Sequence, residues 1–144
     1  MRYFKSVLLA LVFTPLPLAN AEQCHRVGLK NFVSKDKVIA ALGNVCVQLL
    51  YGTKIAPLND NKPVDIMTTQ QACRTFKGHK DKLYMFTIEP VITKGVEHKK
   101  ILPQDCIDMM TSLLDCPKGA WERLNGDFQF RHVPFLAELT SIAN

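Results

Sequence analysis

Two hydrophobic periods alternate along the chain and divide it into short elements. Cys24-His25-Arg26-Val27-Gly28-Leu29-Lys30-Asn31-Phe32 alternates apolar and polar side chains, the period-two pattern of a half-buried strand. After Ser34 the period lengthens. Val38, Leu42, Val45 and Leu49 recur at helical spacing, which predicts a helix over 35–50 with one core face and Ser34 as its N-cap. Gly43 lowers helix propensity without breaking the pattern. Residues 51–63, with Gly52, Pro57, Asn59, Asp60, Asn61 and Pro63, form a long loop. A second strand is expected within 64–76, ending near Cys73, followed by a hairpin turn at Lys77-Gly78-His79-Lys80-Asp81. Lys82-Leu83-Tyr84-Met85-Phe86-Thr87-Ile88 is the clearest strand, rich in aromatic and β-branched residues, and Pro90 should end it.

Pro103 suits the first turn of a second helix, and Pro117 and Gly119 stop it. Within it Cys106, Met109, Leu113 and Cys116 share one face, and Asp105 lies near the positive N-terminal end. Asn125-Gly126 is a turn, 127–133 alternates as a last strand, and 134–144 suits a short terminal helix. The order β-α-β-β-α-β predicts an α+β fold. Its closed form is the split β-α-β, or ferredoxin-like, sandwich: a four-stranded antiparallel sheet in order 4-1-3-2 with two helices on one face.

The first 21 residues do not belong to that pattern. Arg2 and Lys5 precede an apolar run from Val7 to Phe13, and Ala19-Asn20-Ala21 fits a small-x-small cleavage site. This is the layout of a secretory signal peptide. The run is shorter than the ~20 apolar residues a membrane span needs, and Pro15 and Pro17 close it. Removing it leaves residues 22–144 as one exported domain with no stable membrane insertion. Of the 18 Lys/Arg two lie in the leader, so against 13 Asp/Glu the remaining charge is +3. The cations are dispersed, which argues against a nucleic-acid partner. The denser patches, Lys77-Gly78-His79-Lys80-Asp81-Lys82 and His98-Lys99-Lys100, read as solvated turns.

All five cysteines, Cys24, Cys46, Cys73, Cys106 and Cys116, follow the leader, where disulfide formation is the default. Cys106 and Cys116, on one helix, would lie ~15 Å apart and cannot bond each other. They lack the spacing of a redox pair or a zinc pair, so they are two separate anchors. In the split β-α-β layout Cys73 and Cys116 meet at one end of the sandwich. At the other end Cys106 meets Cys46 or Cys24. The facing helices favour Cys46–Cys106 and leave Cys24 as the odd thiol, free or joined to a second chain, so that the protein is a monomer or a disulfide-linked dimer.

No catalytic motif stands out, and the expectation is a non-enzyme without cofactor or metal. The histidines His25, His79, His98 and His132 do not cluster in sequence. Asp105 and Asp108 read as helix-start charges and Asp115 as a surface residue. Met67, Met85, Met109 and Met110 read as core filler.

The helix from Asp105-Cys106 to Cys116, the Asn125-Gly126 turn and the strand Phe128-Gln129-Phe130, behind a signal peptide, resemble small secreted effectors of plant-pathogenic fungi. The family in question is that of the Leptosphaeria avirulence proteins and the extracellular proteins of the tomato leaf-mould fungus, with the killer-toxin-like sandwich layout. The odd cysteine count departs from the family's usual even set. The resemblance implies a protein that binds a host plant protein, is detected in some cases by a resistance receptor, and in some cases passes from the apoplast into the host cell. The alternatives are a killer-toxin-like antimicrobial protein and a bacterial periplasmic protein.

Overall fold

The structure is a computed structural model that describes residues 24–52, 61–91 and 100–136. Residues 1–23, which include the expected leader, residues 53–60 and 92–99, His98 among them, and the expected terminal helix beyond Leu136 lie outside the described residues.

The elements run α1 (Lys35–Tyr51), β1 (Gln70–Phe76), β2 (His79–Pro90), α2 (Pro103–Leu113), β3 (Ala120–Leu124) and β4 (Phe128–Leu136). The four strands form one antiparallel sheet in the order β1-β2-β4-β3. α1 packs on β1 and β2, and α2 on β3 and β4. The expected class therefore holds: α+β, two helices and a four-stranded antiparallel sheet. The connectivity differs. Carrying the first strand of a split β-α-β to the C-terminus turns β-α-β-β-α-β into α-β-β-α-β-β, and sheet order 4-1-3-2 into the one observed. The structure is thus a circular permutation of the expected sandwich, and β4 fills the central place expected for residues 24–32.

The reason lies in parity. A strand in that central place must turn one face to the helices over its whole length. The apolar positions of 24–32 are Cys24, Val27, Leu29 and Phe32, which do not share a parity. Val27 is 87% exposed, Gly28 adopts φ +131°, and the segment forms only an isolated bridge, Cys24 to Ala120. In β4, by contrast, Phe128, Phe130 and His132 point alternately inward and are buried. β3 escapes a sequence reading because Ala120-Trp121-Glu122-Arg123-Leu124 sets a single aromatic, Trp121, among good helix formers. It exists as the partner of β4, across a three-residue connection with Asn125 at φ 50° and Gly126 at φ 76°. Pro134 does not open a helix but lies in β4 opposite Tyr84. β3 pairs with β4 only as far as His132, so the missing proline N–H is tolerated there.

α1 places Val38, Leu42, Val45, Cys46 and Leu49 in the core, as its periodicity predicts. Ser34 is at the N-cap position but its side chain makes no capping hydrogen bond. In α2 the core residues are Cys106, Met110 and Leu113, and the helix stops before Cys116, which sits in the following turn. Asp105 closes the start of α2 by accepting a 3.4 Å hydrogen bond from the Leu102 N–H. Among the described residues no helix is long and apolar enough to cross a membrane.

The cysteine geometry corrects one expected pair. Cys46 and Cys106, both fully buried on facing helices, are bridged with Cα atoms 6.0 Å apart. Cys116 is bridged to Cys24, with Cα atoms 5.3 Å apart, and not to Cys73. Cys73 carries the unbonded, exposed thiol, in place of Cys24. β1 lies at the sheet edge opposite β3, and Cys73 points to the side of the sheet away from the helices, its neighbours Ala72 and Met85 being buried and half-buried. Cys116, in the turn that follows α2, is held instead by Cys24. Burial raises the pKa of the Cys73 thiol, which lowers its reactivity.

The Cys24–Cys116 bridge turns residues 24–33 into a strap. The strap is tied to the α2–β3 connection by hydrogen bonds from the His25 N–H to Gly119 O (2.9 Å) and the Asn31 N–H to Pro117 O (2.7 Å). Lys118 Nζ and Asn31 Nδ2 add bonds to Arg26 O and Cys116 O. Gly119 makes the passage to β3 possible. Its φ is +90°, and a Cβ there would come within 2.5 Å of the His132 carbonyl oxygen.

Two outcomes follow from this architecture. Gly119→Ala, which combines a left-handed backbone with a backbone clash, should lower the unfolding free energy by more than ~2 kcal/mol in urea titration. Cys24→Ser should cost ~2–5 kcal/mol, while Cys73→Ser should stay within ~0.5 kcal/mol and remove any disulfide-linked dimer. Non-reducing peptide mapping should recover Cys24 with Cys116 and Cys46 with Cys106.

Candidate binding cleft

Three pieces of chain enclose a cleft of about 520 Å³: the end of the strap at Phe32-Val33-Ser34, one face of α1, and the β1–β2 hairpin. The α1 face carries Lys37, Ala40, Ala41 and Asn44. The small alanines keep the helix surface low, so that space remains beside β1. From β1, Ala72, Arg74 and Phe76 share the helix-facing parity. Ala72 is buried under α1, whereas Arg74 reaches the cleft and Phe76 forms part of its wall. A smaller hollow continues along α1 past Asn44 and Val45 to Gln48, again against Arg74.

Tyr84 holds the strap in position. Its side chain is fully buried in β2, and its hydroxyl oxygen accepts hydrogen bonds from the N–H groups of Phe32 (3.1 Å) and Val33 (3.3 Å). The Phe32 ring stacks on the Tyr84 ring at 4.5 Å, and Phe76 meets it edge-on at 5.6 Å. His79 packs against Phe32 at 5.2 Å, and Lys82 Nζ lies 5.7 Å from the centre of the Phe32 ring.

The electrostatics are one-sided. Lys37, Arg74 and Lys77 line the cleft, no Asp or Glu does, and none of the three cations forms an ion pair among the described residues. A concave, partly apolar surface with unpaired cations attracts anionic groups, and the apolar walls weaken solvent screening there.

The basic stretch Lys77 to Lys82, expected as a solvated turn, thus contributes Lys77 and His79 to the cleft and Lys82 to its aromatic wall. Asp115 is surface-exposed as expected, and it pairs with Lys35 at the start of α1. Asp108 accepts a hydrogen bond from Gln104 on the exposed side of α2. Met110 is a core residue, whereas Met67 is 61% exposed. Among the described residues there is no group of three or more His, Cys, Asp or Glu side chains placed to hold a metal ion. The cleft was not visible in the sequence as a site. The available signals were the Ala40-Ala41 pair on a helix of otherwise bulky residues and a cation, Arg74, at a helix-facing strand position.

Behind Tyr84, on the core side, His132 is fully buried and stacks on the Tyr84 ring at 4.9 Å, with Phe86 at 5.2 Å. Neither of its ring nitrogens has a hydrogen-bond partner among the described residues, and the same is true of Nε2 of His25. Burial first, and the nearby His25 second, lower the His132 pKa from about 6.5 to about 4. His25 is lowered too, by burial and then by Arg131. Protonation is therefore opposed in the folded state more than in the unfolded chain.

No protein-family model matches the chain, and no characterised protein matches it in sequence.

The histidine geometry sets a pH dependence. Because the folded pKa of His132 lies below the unfolded value, its contribution is complete above about pH 6.5 and is lost as pH falls towards 4. Unfolding free energy measured across that window should fall by up to ~3 kcal/mol more in the native chain than in His132→Phe, which keeps the aromatic packing without a titrating group.

Proposed function

We propose that the chain is an exported effector-type protein that acts by binding a host plant protein, with the cleft between the strap, α1 and the β1–β2 hairpin as its contact site. The observation that carries this reading is the cleft itself: cations without an ion pair among the described residues, beside half-buried aromatic rings, on walls fixed by a fully buried tyrosine. The two long-range bridges support it. They close 92 and 60 residues of chain, the means by which small exported domains supplement a modest core. The leader-like N-terminus and the resemblance of the α2 region and the Phe128-Gln129-Phe130 strand to avirulence effectors point the same way. In this reading a resistance receptor is a second plant partner, and entry into the host cell is a separate step that the cleft does not govern.

The test is genetic and biochemical. Deletion of the gene from the producing organism should reduce growth on susceptible plants or abolish recognition on a resistant line. Complementation with the native sequence should restore the phenotype, and Lys37→Glu/Arg74→Glu should not, with secretion of both forms equal on immunoblots. A deletion strain that infects every plant line normally would sink the proposal, as would purified protein that arrests competing microbes while leaving infection unchanged.

A further inference from the structure

The cleft has a second property, which concerns backbone rather than side chains. β1 is an edge strand paired only with β2. Its other edge makes no backbone hydrogen bond among the described residues, and its Cys73, Arg74 and Thr75 are exposed. An uncovered row of N–H and C=O groups is a template for another strand. Here the open edge runs beside the groove of α1. The groove-lining positions Lys37, Ala41, Asn44 and Gln48 succeed one another along a single face of the helix. From Lys37 to Gln48 that face is ~16 Å long, about the length of five extended residues.

We infer that the groove between α1 and the free edge of β1 binds an acidic segment of a partner protein in extended conformation, added to the sheet as a fifth strand. Strand addition supplies main-chain hydrogen bonds, and alternate side chains of the added segment point down into the groove. Two features select acidic side chains. Arg74 and Lys77 stand at the β1 end of the groove and Lys37 on the helix opposite, and no lining carboxylate competes for them. The guanidinium of Arg74 can take a carboxylate with two parallel hydrogen bonds. Phe32 and Phe76 provide an apolar end for an aliphatic or aromatic residue of the same segment. The irregular register between Arg74 and Phe76 limits the added strand on the hairpin side, because β1 loses its regular edge there. The inference rests on the proposed use of the cleft as the partner site, and adds the conformation and charge of what enters it.

The test uses the full exported chain with both bridges intact, labelled with 15N, and a blocked hexapeptide of alternating glutamate and valine. Binding should shift the amide resonances of β1 and of the groove face of α1. A lysine–valine peptide of equal length should leave them in place. Arg74→Glu/Lys77→Glu, both at exposed positions, should weaken binding at least about tenfold, and Ala40→Trp, which fills the groove without altering charge, should weaken it comparably. Glutamate–valine peptides N-methylated on every second backbone nitrogen, in each of the two phases, distinguish strand addition from charge attraction. At least one phase should lose binding. Retention in both phases overturns the inference, as does absence of shifts at β1, or shifts induced by inorganic phosphate or oligogalacturonate but not by the peptide. Failure here with an intact infection phenotype for the cleft variant removes only the acidic-strand ligand. Peptide binding without any infection phenotype removes only the effector reading.

Discussion

The buried hydroxyl of Tyr84 is the constraint on which the cleft depends. A tyrosine with no exposed surface must satisfy its hydroxyl, and this one does so with two backbone N–H groups of a segment that has almost no secondary structure of its own. The strap between Cys24 and Ser34 would otherwise be a loose end, with Val27 exposed and Gly28 in a conformation that does not continue a strand. The hydroxyl fixes one end of it and the Cys24–Cys116 bridge fixes the other. Phe32, stacked on the same ring, becomes a wall of the cleft. On the opposite side of Tyr84 lies His132, held neutral by burial, so one aromatic stack links the strap to the centre of the sheet.

The permuted connectivity explains why the bridges lie where they do. With β4 in the centre of the sheet, the N-terminal segment has no strand position left and is held from outside by the α2–β3 connection. The Cys46–Cys106 bridge joins the two helices at their common seam, where both cysteines are fully buried. Together the bridges tie the strap and the helix layer to the same α2 region. The third consequence concerns the sheet edge: among the described residues β1 ends the sheet on the side away from the strap's bridge and has no strand partner beyond it, and its exposed thiol, Cys73, belongs to that margin.

Much of this was legible in the chain. Helical spacing located α1 and α2 to within a few residues, aromatic and β-branched enrichment located β2, and Asn125-Gly126 marked the turn before β4. Facing apolar stripes on the helices brought Cys46 to Cys106. The rest depended on which strand takes the centre of the sheet, and that is decided by competition rather than by local pattern. Residues 24–32 divide their apolar positions between the two parities, Cys24 and Phe32 against Val27 and Leu29, whereas β4 presents Phe128, Phe130 and His132 on one side. The misplaced first strand led directly to the wrong partner for Cys116. The cleft stayed hidden for a related reason: Phe32, Lys37, Arg74 and Lys77 are far apart in sequence and meet only once the strap is bonded to Tyr84.

Tyr84 holds the strap through its hydroxyl and thereby preforms the cleft. Amide hydrogen exchange at Phe32 and Val33, in the oxidised native chain and in Tyr84→Phe, addresses it most directly. In the native chain these two amides should exchange far more slowly than the exposed strap amides around Val27. In Tyr84→Phe they should become fast, while the β2–β4 ladder stays protected. Rapid exchange at Phe32 and Val33 in the native chain, or unchanged protection in Tyr84→Phe, would contradict it.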